Sequence, residues 1–239
     1  MAESDPVAES DPVEELDLVV ITPSAKAGWY RPRDIRPLSV AAPDPGLVQR
    51  LRGVPGLSSS VSDVLDGMGF RLCVPASTIA PVGRTVAGPL VGRVLTLRYL
   101  PFRATPGPEE PNGRLAYGTA FDLAGPGDVL VISAPRDLAV SVLGGNAMAA
   151  AMAAGLAGAI ADGFVRDVDE IDAVGLPVWA AGITPVSGRG RLEAVTLNGP
   201  VEVRGIQVHA GDVAVADGSG LAFIPAEAFE AVANRLLPA

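Results

Sequence analysis

The stretch from Gly144 to Asp167, GGNAMAAAMAAGLAGAIADGFVRD, constrains the fold of this chain more than any other. A Gly-Gly-Asn turn leads into Ala147 to Ala154, a run of high helix propensity and almost no side-chain bulk, which predicts a helix lying close against a sheet. Gly155 is expected to end that helix, and Ala157 to Ala161 to form a short strand. Upstream, Asp128 to Ser133 (DVLVIS) follows the turn-like Gly125-Pro126-Gly127 and reads as a buried strand. The right-handed crossover rule makes the two strands parallel. In such a unit the helix N-terminus and the exit of the second strand lie at one edge of the sheet, so Gly144, Gly145 and Asn146 share a rim with Arg166 and Asp167. Free N–H groups at a helix start suit a carboxylate or phosphate, and open α/β sheets bind ligands beyond the carboxyl ends of their strands. Arginine offers a planar fork to an anion and aspartate an oxygen to a hard cation. The expected ligand is therefore a small anion with a divalent metal. The plainer alternatives are a tight turn at Gly144-Gly145-Asn146 and a local ion pair at Arg166-Asp167.

The same region also tests for a membrane span, because Leu138 to Ala161 carries no charge over 24 residues. It is mostly Ala and Gly, contains Asn146, and is bounded by Asp137 and Asp162 without basic or aromatic anchors, so no membrane partner is expected. The acidic opening of the chain lacks an apolar signal segment, which predicts a cytoplasmic protein.

At 239 residues and 49% hydrophobic, the chain can build a substantial core of Val, Leu, Ile and Ala. Three parts are expected: an acidic disordered tail over residues 1–17, an N-terminal arm over 18–44, and a single domain over 45–239. The tail holds a direct repeat, AESDPV twice, and seven acids with no base. Trp29 and Tyr30 among Arg31, Arg33 and Arg36 argue that the arm is ordered. The rest is nearly neutral and shows no basic cluster, which excludes broad nucleic-acid binding.

Helices are predicted over Pro45 to Arg52, after Ser58-Ser59-Ser60 as N-cap up to Gly69, over Gly113 to Leu123, and over Ala226 to Leu237. Val86 to Leu100 and Pro177 to Ala181 read as strands, and Pro101 to Gly113 as a long loop. From Glu193 to Ile224 five short apolar segments separated by turn signals predict an antiparallel region.

One histidine, His209, and one cysteine, Cys73, exclude several chemistries. Ser-His-Asp hydrolysis, His-rich zinc sites, disulfides and cysteine-rich metal sites all need more of these residues. Cys73 is expected to be buried, and His209 to lie at a surface or interface. No Walker loop or dinucleotide fingerprint is present. Carboxylates, arginine, backbone amides and a hard metal remain, a set suited to enolate chemistry on 2-oxo acids.

Leu143-Gly144-Gly145-Asn146 and Val165-Arg166-Asp167, with twenty residues between Gly145 and Arg166, resemble the central pattern of the RraA-like family. That family includes class II 4-hydroxy-4-methyl-2-oxoglutarate and 4-carboxy-4-hydroxy-2-oxoadipate aldolases and regulators of ribonuclease E. Further matches are Ser62 to Asp66, Gly127 to Val131, Leu176 to Val178, Thr184-Pro185, and Gly211 to Asp217. The resemblance implies an α/β fold, a three-layer β/β/α sandwich of the swivelling-domain type, assembled as a homotrimer or a dimer of trimers. It further implies that Asp167 helps hold Mg²⁺ or Mn²⁺, that Arg166 binds the 2-oxo acid, and that amides from Gly144, Gly145, Asn146 and Ala147 receive its carboxylate. One position departs: the family's first aspartate is Gly145 here, which removes a candidate base and one negative charge near the cation. Two functions follow. One is a metal-dependent C–C lyase with Arg166 and Asp167 as catalytic residues. The alternative is a non-aldolase member, either a regulatory binding protein or an enzyme repurposed for another small anion.

Overall fold

The computed structural model describes residues 32–83, 88–103 and 115–237. The acidic tail, Trp29, Tyr30, Arg31 and most of the Pro-rich loop lie outside these residues. The chain begins with β1 (Asp34–Ile35), α1 (Pro45–Arg52), α2 (Leu57–Gly67), β2 (Cys73–Pro75), β3 (Ala80–Val82) and the long β4 (Leu90–Pro101). The central unit follows as α3 (Tyr117–Leu123), β5 (Val129–Ser133), β6 (Ser141–Leu143), α4 (Gly145–Ala153), β7 (Gly158–Val165), α5 (Val168–Val174) and β8 (Val178–Ile183). The remainder comprises β9 (Leu192–Leu197), β10 (Val201–Val203), β11 (Ile206–Val208), β12 (Val213–Asp217), β13 (Gly220–Ile224) and α6 (Phe229–Leu236).

Among the described residues one sheet of eleven strands runs in the order β2-β13-β12-β4-β5-β7-β8-β3, with β9, β1 and β6 attached at its sides. β4 joins its two halves. The first residues of β4 pair antiparallel with β12, and Val94 to Arg98 pair parallel with β5. β5 and β7 are parallel, as the crossover rule requires. The β10–β11 hairpin stands apart.

Strand alternation explains the layers. Leu130 and Ile132 of β5 face a core shared with α3, α4 and α5, while Val129 and Val131 face a second core with Phe223 and Ala214 of the other sheet half. Val213 and Val215 of β12 turn outward into a third core, where α1, α2 and α6 supply Leu51, Val61, Leu65 and Val232. The chain thus has the expected β/β/α arrangement, with α1, α2 and α6 covering the outer face of the second half. Fully buried Trp179 sits between the halves and donates its indole N–H to the Asp217 carbonyl at 3.0 Å.

Several local expectations are refined. α4 starts at Gly145, and Gly155 follows it at φ 84, the left-handed conformation that stops a helix. β7 runs on from Ala161 to Val165, and α3 begins only at Tyr117. Ser58 is not an N-cap: α2 opens at Leu57 with no capping side chain of its own, and Asp217 of β12 does the capping. Asp217 accepts the Ser58 N–H at 2.9 Å and the Ser58 hydroxyl at 2.6 Å. Burial pushes the Asp217 carboxyl up, but these bonds and those from the Ser219 and Gly220 amides outweigh it and hold the group below the usual carboxylate range.

The described end of the arm is fastened to the domain. β1 pairs parallel with β9, and Arg93 donates to the Val40 carbonyl while its Nε and Nη2 grip buried Asp128, each at 2.9 Å. Cys73 is half-buried, and burial raises its thiol pKa. His209 is exposed. Among the described residues no helix is long and apolar enough to cross a membrane.

Candidate functional site

The site is built where β7 leaves the sheet. Its first residues pair with β5 and its last with β6 and β8, with a register shift after Ala161. The Arg166 N–H donates to the Leu143 carbonyl at 3.1 Å, which brings the end of β7 beside the start of α4. Asp167 then takes φ 58 and ψ 48 as N-cap of α5, a left-handed conformation that costs a non-glycine residue about 1 kcal/mol or more. Such a residue persists where its neighbours hold it, and here Arg166 Nε lies 3.2 Å from Asp167 Oδ2. Both side chains are about one-third exposed, at 35% and 33%, so the pair is open to a ligand.

At the start of α4, Gly144 is extended and no side chain caps the first turn. Those amides are open to an outside acceptor. Of the residues singled out from the sequence, Gly144, Asn146, Ala147, Arg166 and Asp167 line one pocket. Its remaining walls are β6, Leu115 and Tyr117 beside α3, and Ser187 and Arg189 from the turn after β8.

Gly145 behaves differently. It is buried and does not line the pocket. A Cβ built on it would overlap both the carboxylate and the Cβ of Glu170, so the space that a side chain at 145 would occupy is filled from α5. A Cβ on Gly144 would lie 2.6 Å from Asp167 Oδ2. Asp167 thus approaches the turn at Gly144 and lines the pocket, whereas Glu170 approaches it at Gly145 and is not among the lining residues; they are the two carboxylates beside the turn that could hold a metal. Two carboxylates with retained water and substrate oxygens are a donor set that Mg²⁺ accepts. Among the described residues no group of three or more His, Cys, Asp or Glu is gathered for a metal.

Asp162, the other nearby acid, points to the opposite side. It is buried and pairs with Arg136 at 3.3 Å and Arg204 at 3.0 Å, which ties β7 to the β10–β11 hairpin. Sequence reasoning overlooks Glu170, although a signal is present: Asp167 and Glu170 are the N-cap and third residues of one helix, neighbours on its face. Tyr117 and Arg189 carry no local signal, because the fold brings them from distant segments.

The Aldolase/RraA model of the RraA-like family matches residues 58–222. The chain belongs to the RraA-like family. Among RraA-like relatives, a Halalkalibacterium halodurans protein with the provisional name 4-hydroxy-4-methyl-2-oxoglutarate aldolase is 28% identical over 74% of this chain and 76% of its own length. Thermus thermophilus 4-hydroxy-4-methyl-2-oxoglutarate aldolase is 32% identical over 42% of this chain and 61% of its own. Legionella pneumophila DlpA is 27% identical over 81% of this chain, which spans only 30% of DlpA. The crystal structure of Streptomyces coelicolor RraAS2, described as an unusual member of the RNase ES inhibitor RraA protein family, superposes with a TM-score of 0.68. That match has 26% identity and covers 81% of this chain and 91% of RraAS2.

Proposed function

We propose that this RraA-like protein is a metal-dependent C–C lyase acting on a small 2-oxo acid, by retro-aldol cleavage or decarboxylation. The observation that carries the reading is Glu170 in the space beside Gly145. The carboxylate missing from the chain at position 145 is returned to the same turn from α5, the helix that Asp167 precedes. Aldolase names among the relatives support the same class.

In this reading the open amides of the first turn of α4 receive the substrate carboxylate. Arg166 donates to the 2-oxo acid and keeps its guanidinium against the oxygen that gains charge. Asp167 and Glu170 would hold Mg²⁺ or Mn²⁺, which supplies polarisation of the 2-oxo group and stabilises enolate charge. For 4-hydroxy-4-methyl-2-oxoglutarate the C3–C4 bond breaks and the C4 hydroxyl loses its proton. One pyruvate leaves directly, and the other leaves after its enolate is protonated at C3. Assembly as a homotrimer or dimer of trimers belongs to the same proposal, supported by Ile183 and Val186, 59% and 39% exposed on the segment leading to the pocket.

The likeness to RraAS2 favours a second reading, a regulatory binding protein on the same scaffold. Pyruvate release from oxaloacetate and 4-hydroxy-4-methyl-2-oxoglutarate separates them. The lyase releases pyruvate with Mg²⁺ or Mn²⁺, stops with EDTA, and loses turnover in Asp167→Ala and Glu170→Ala. Folded protein that releases none from either substrate with either metal refutes the lyase and leaves the binding reading.

A further inference from the structure

A second cleft opens between α1, the start of β4 and the turn before β5. It lies at the amino end of β5, whereas the site already described lies beyond the carboxyl end of the parallel strand β7. Its volume is about 270 Å³. At the ~30 Å³ that a water occupies in the liquid, that is room for roughly nine non-hydrogen atoms. α1 presents one helical stripe to the cleft: Pro45, Val48, Gln49 and Arg52 stand at i, i+3, i+4 and i+7, while Leu51 turns into the third core. The facing wall is closed backbone. A Cβ on Gly92 would strike the Gly127 carbonyl, so β4 and the turn before β5 touch there without space for a side chain.

The charges in that wall are matched. The Asp128 oxygens accept from Arg93 Nε and Nη2 and from the Gly125 N–H, and Arg93 Nη1 donates to the Val40 carbonyl. Arg52 is the charge left over. Its Nη2 donates to the Val91 carbonyl at 3.1 Å, but among the described residues it pairs with no carboxylate and its buried Nε has no acceptor. Asp217 borders the opening on the other side of Arg52, and its oxygens are occupied by Ser58 and Ser219. Gln49, one turn before Arg52, is exposed at the rim, where its amide can donate to the same ligand. An arginine with unmatched donors suits a carboxylate, which accepts two N–H bonds from one guanidinium. One uncompensated cation calls for a monoanion, and the walls formed by Val48, Val91 and the prolines suit an apolar body behind it.

We propose that this cleft is a second small-molecule site, which takes an organic monocarboxylate with a compact apolar body through Arg52 and Gln49. The inference does not rest on the lyase reading. The test titrates the full chain by calorimetry with benzoate, with its neutral counterpart benzamide and with acetate, which keeps the charge and lacks the ring. Wild type, Arg52→Met, Gln49→Glu and Arg166→Met are compared. Benzoate is expected to saturate one site with a Kd of about 1 mM or tighter, and benzamide and acetate to bind more than about tenfold more weakly. Benzoate affinity should fall about 30-fold in Arg52→Met, the loss of a charged hydrogen bond, and about fivefold in Gln49→Glu, which brings a like charge to the rim. Gln49 is exposed, so its substitution reads the site even where Arg52→Met fails to fold. Arg166→Met should leave benzoate binding unchanged. Binding lost in Arg166→Met and kept in Gln49→Glu assigns the benzoate to the pocket beside α4 and overturns the proposal. Equal affinity for benzamide, or no saturable benzoate binding in the wild type, overturns it as well.

Discussion

Placing a methyl group on Gly145 tests the most informative contact of the site. Gly145 is the first residue of α4 and is not among the glycines with positive φ, so alanine can adopt its backbone. By helix propensity alone, Gly145→Ala would stabilise the protein by up to about 1 kcal/mol. The structure predicts the opposite sign. The new Cβ overlaps the Glu170 carboxylate, which can swing away, and also the Glu170 Cβ, which cannot, so α5 itself must shift. Overpacking of this kind costs about 1–3 kcal/mol, which offsets the full propensity gain and leaves a net loss of up to about 2 kcal/mol. In a chain of this size each kcal/mol moves Tm by about 2–4 °C, so Tm is expected to fall by up to about 8 °C, where propensity alone would raise it. Glu170→Gly removes the whole clashing side chain. In that background Gly145→Ala should become neutral or stabilising, giving a coupling of at least about 1 kcal/mol in a double-mutant cycle read by urea unfolding. Gly145→Ala should also weaken metal-dependent pyruvate release, because it displaces Glu170. Additive effects within about 0.3 kcal/mol would refute the claim that Glu170 fills this space.

Two further outcomes follow from other residues. Asp167→Gly removes the left-handed strain at φ 58 and is expected to raise stability by about 1 kcal/mol in urea unfolding while abolishing pyruvate release; a destabilised variant would show that the aspartate is held there for structure alone. Asp217 titrates below its ordinary value in the folded protein, so its ionised form adds stability that is fully present above about pH 4 and lost as pH falls through the lowered native value. The stability difference between wild type and Asp217→Asn should therefore hold from about pH 7 to 5 and collapse on acidification below about pH 4, and a pH-independent difference would contradict the capping role.

The central βαβ unit is legible because its signals are local. Val129 to Ser133, residues 147–153 and Gly155 carry their own periodicity, propensity and stop, and the crossover rule supplies the direction. From these the shared rim of Gly144, Asn146, Arg166 and Asp167 follows without further information. Ser58 misleads for the complementary reason. Serine near a helix start is a sound local signal, but the acceptor that satisfies α2 is Asp217, which lies 159 residues away in sequence. Arg189 is invisible for the same reason, since only the seating of its turn on β6 brings it to the pocket.

Glu170 stands between these cases and shows what a linear motif omits. Counting from position 145 to Arg166 finds a glycine where an acid is expected and suggests that a function was lost. Position in space is set by the packing of α4 against α5, and there a carboxylate can arrive by either of two routes. A short side chain can project from the first residue of α4, or a longer one from the third residue of α5. The two routes exclude each other because the first carbon of one lies inside the other. A glycine at 145 is therefore not an empty position in this chain; it is the condition under which Glu170 can lie against the start of α4.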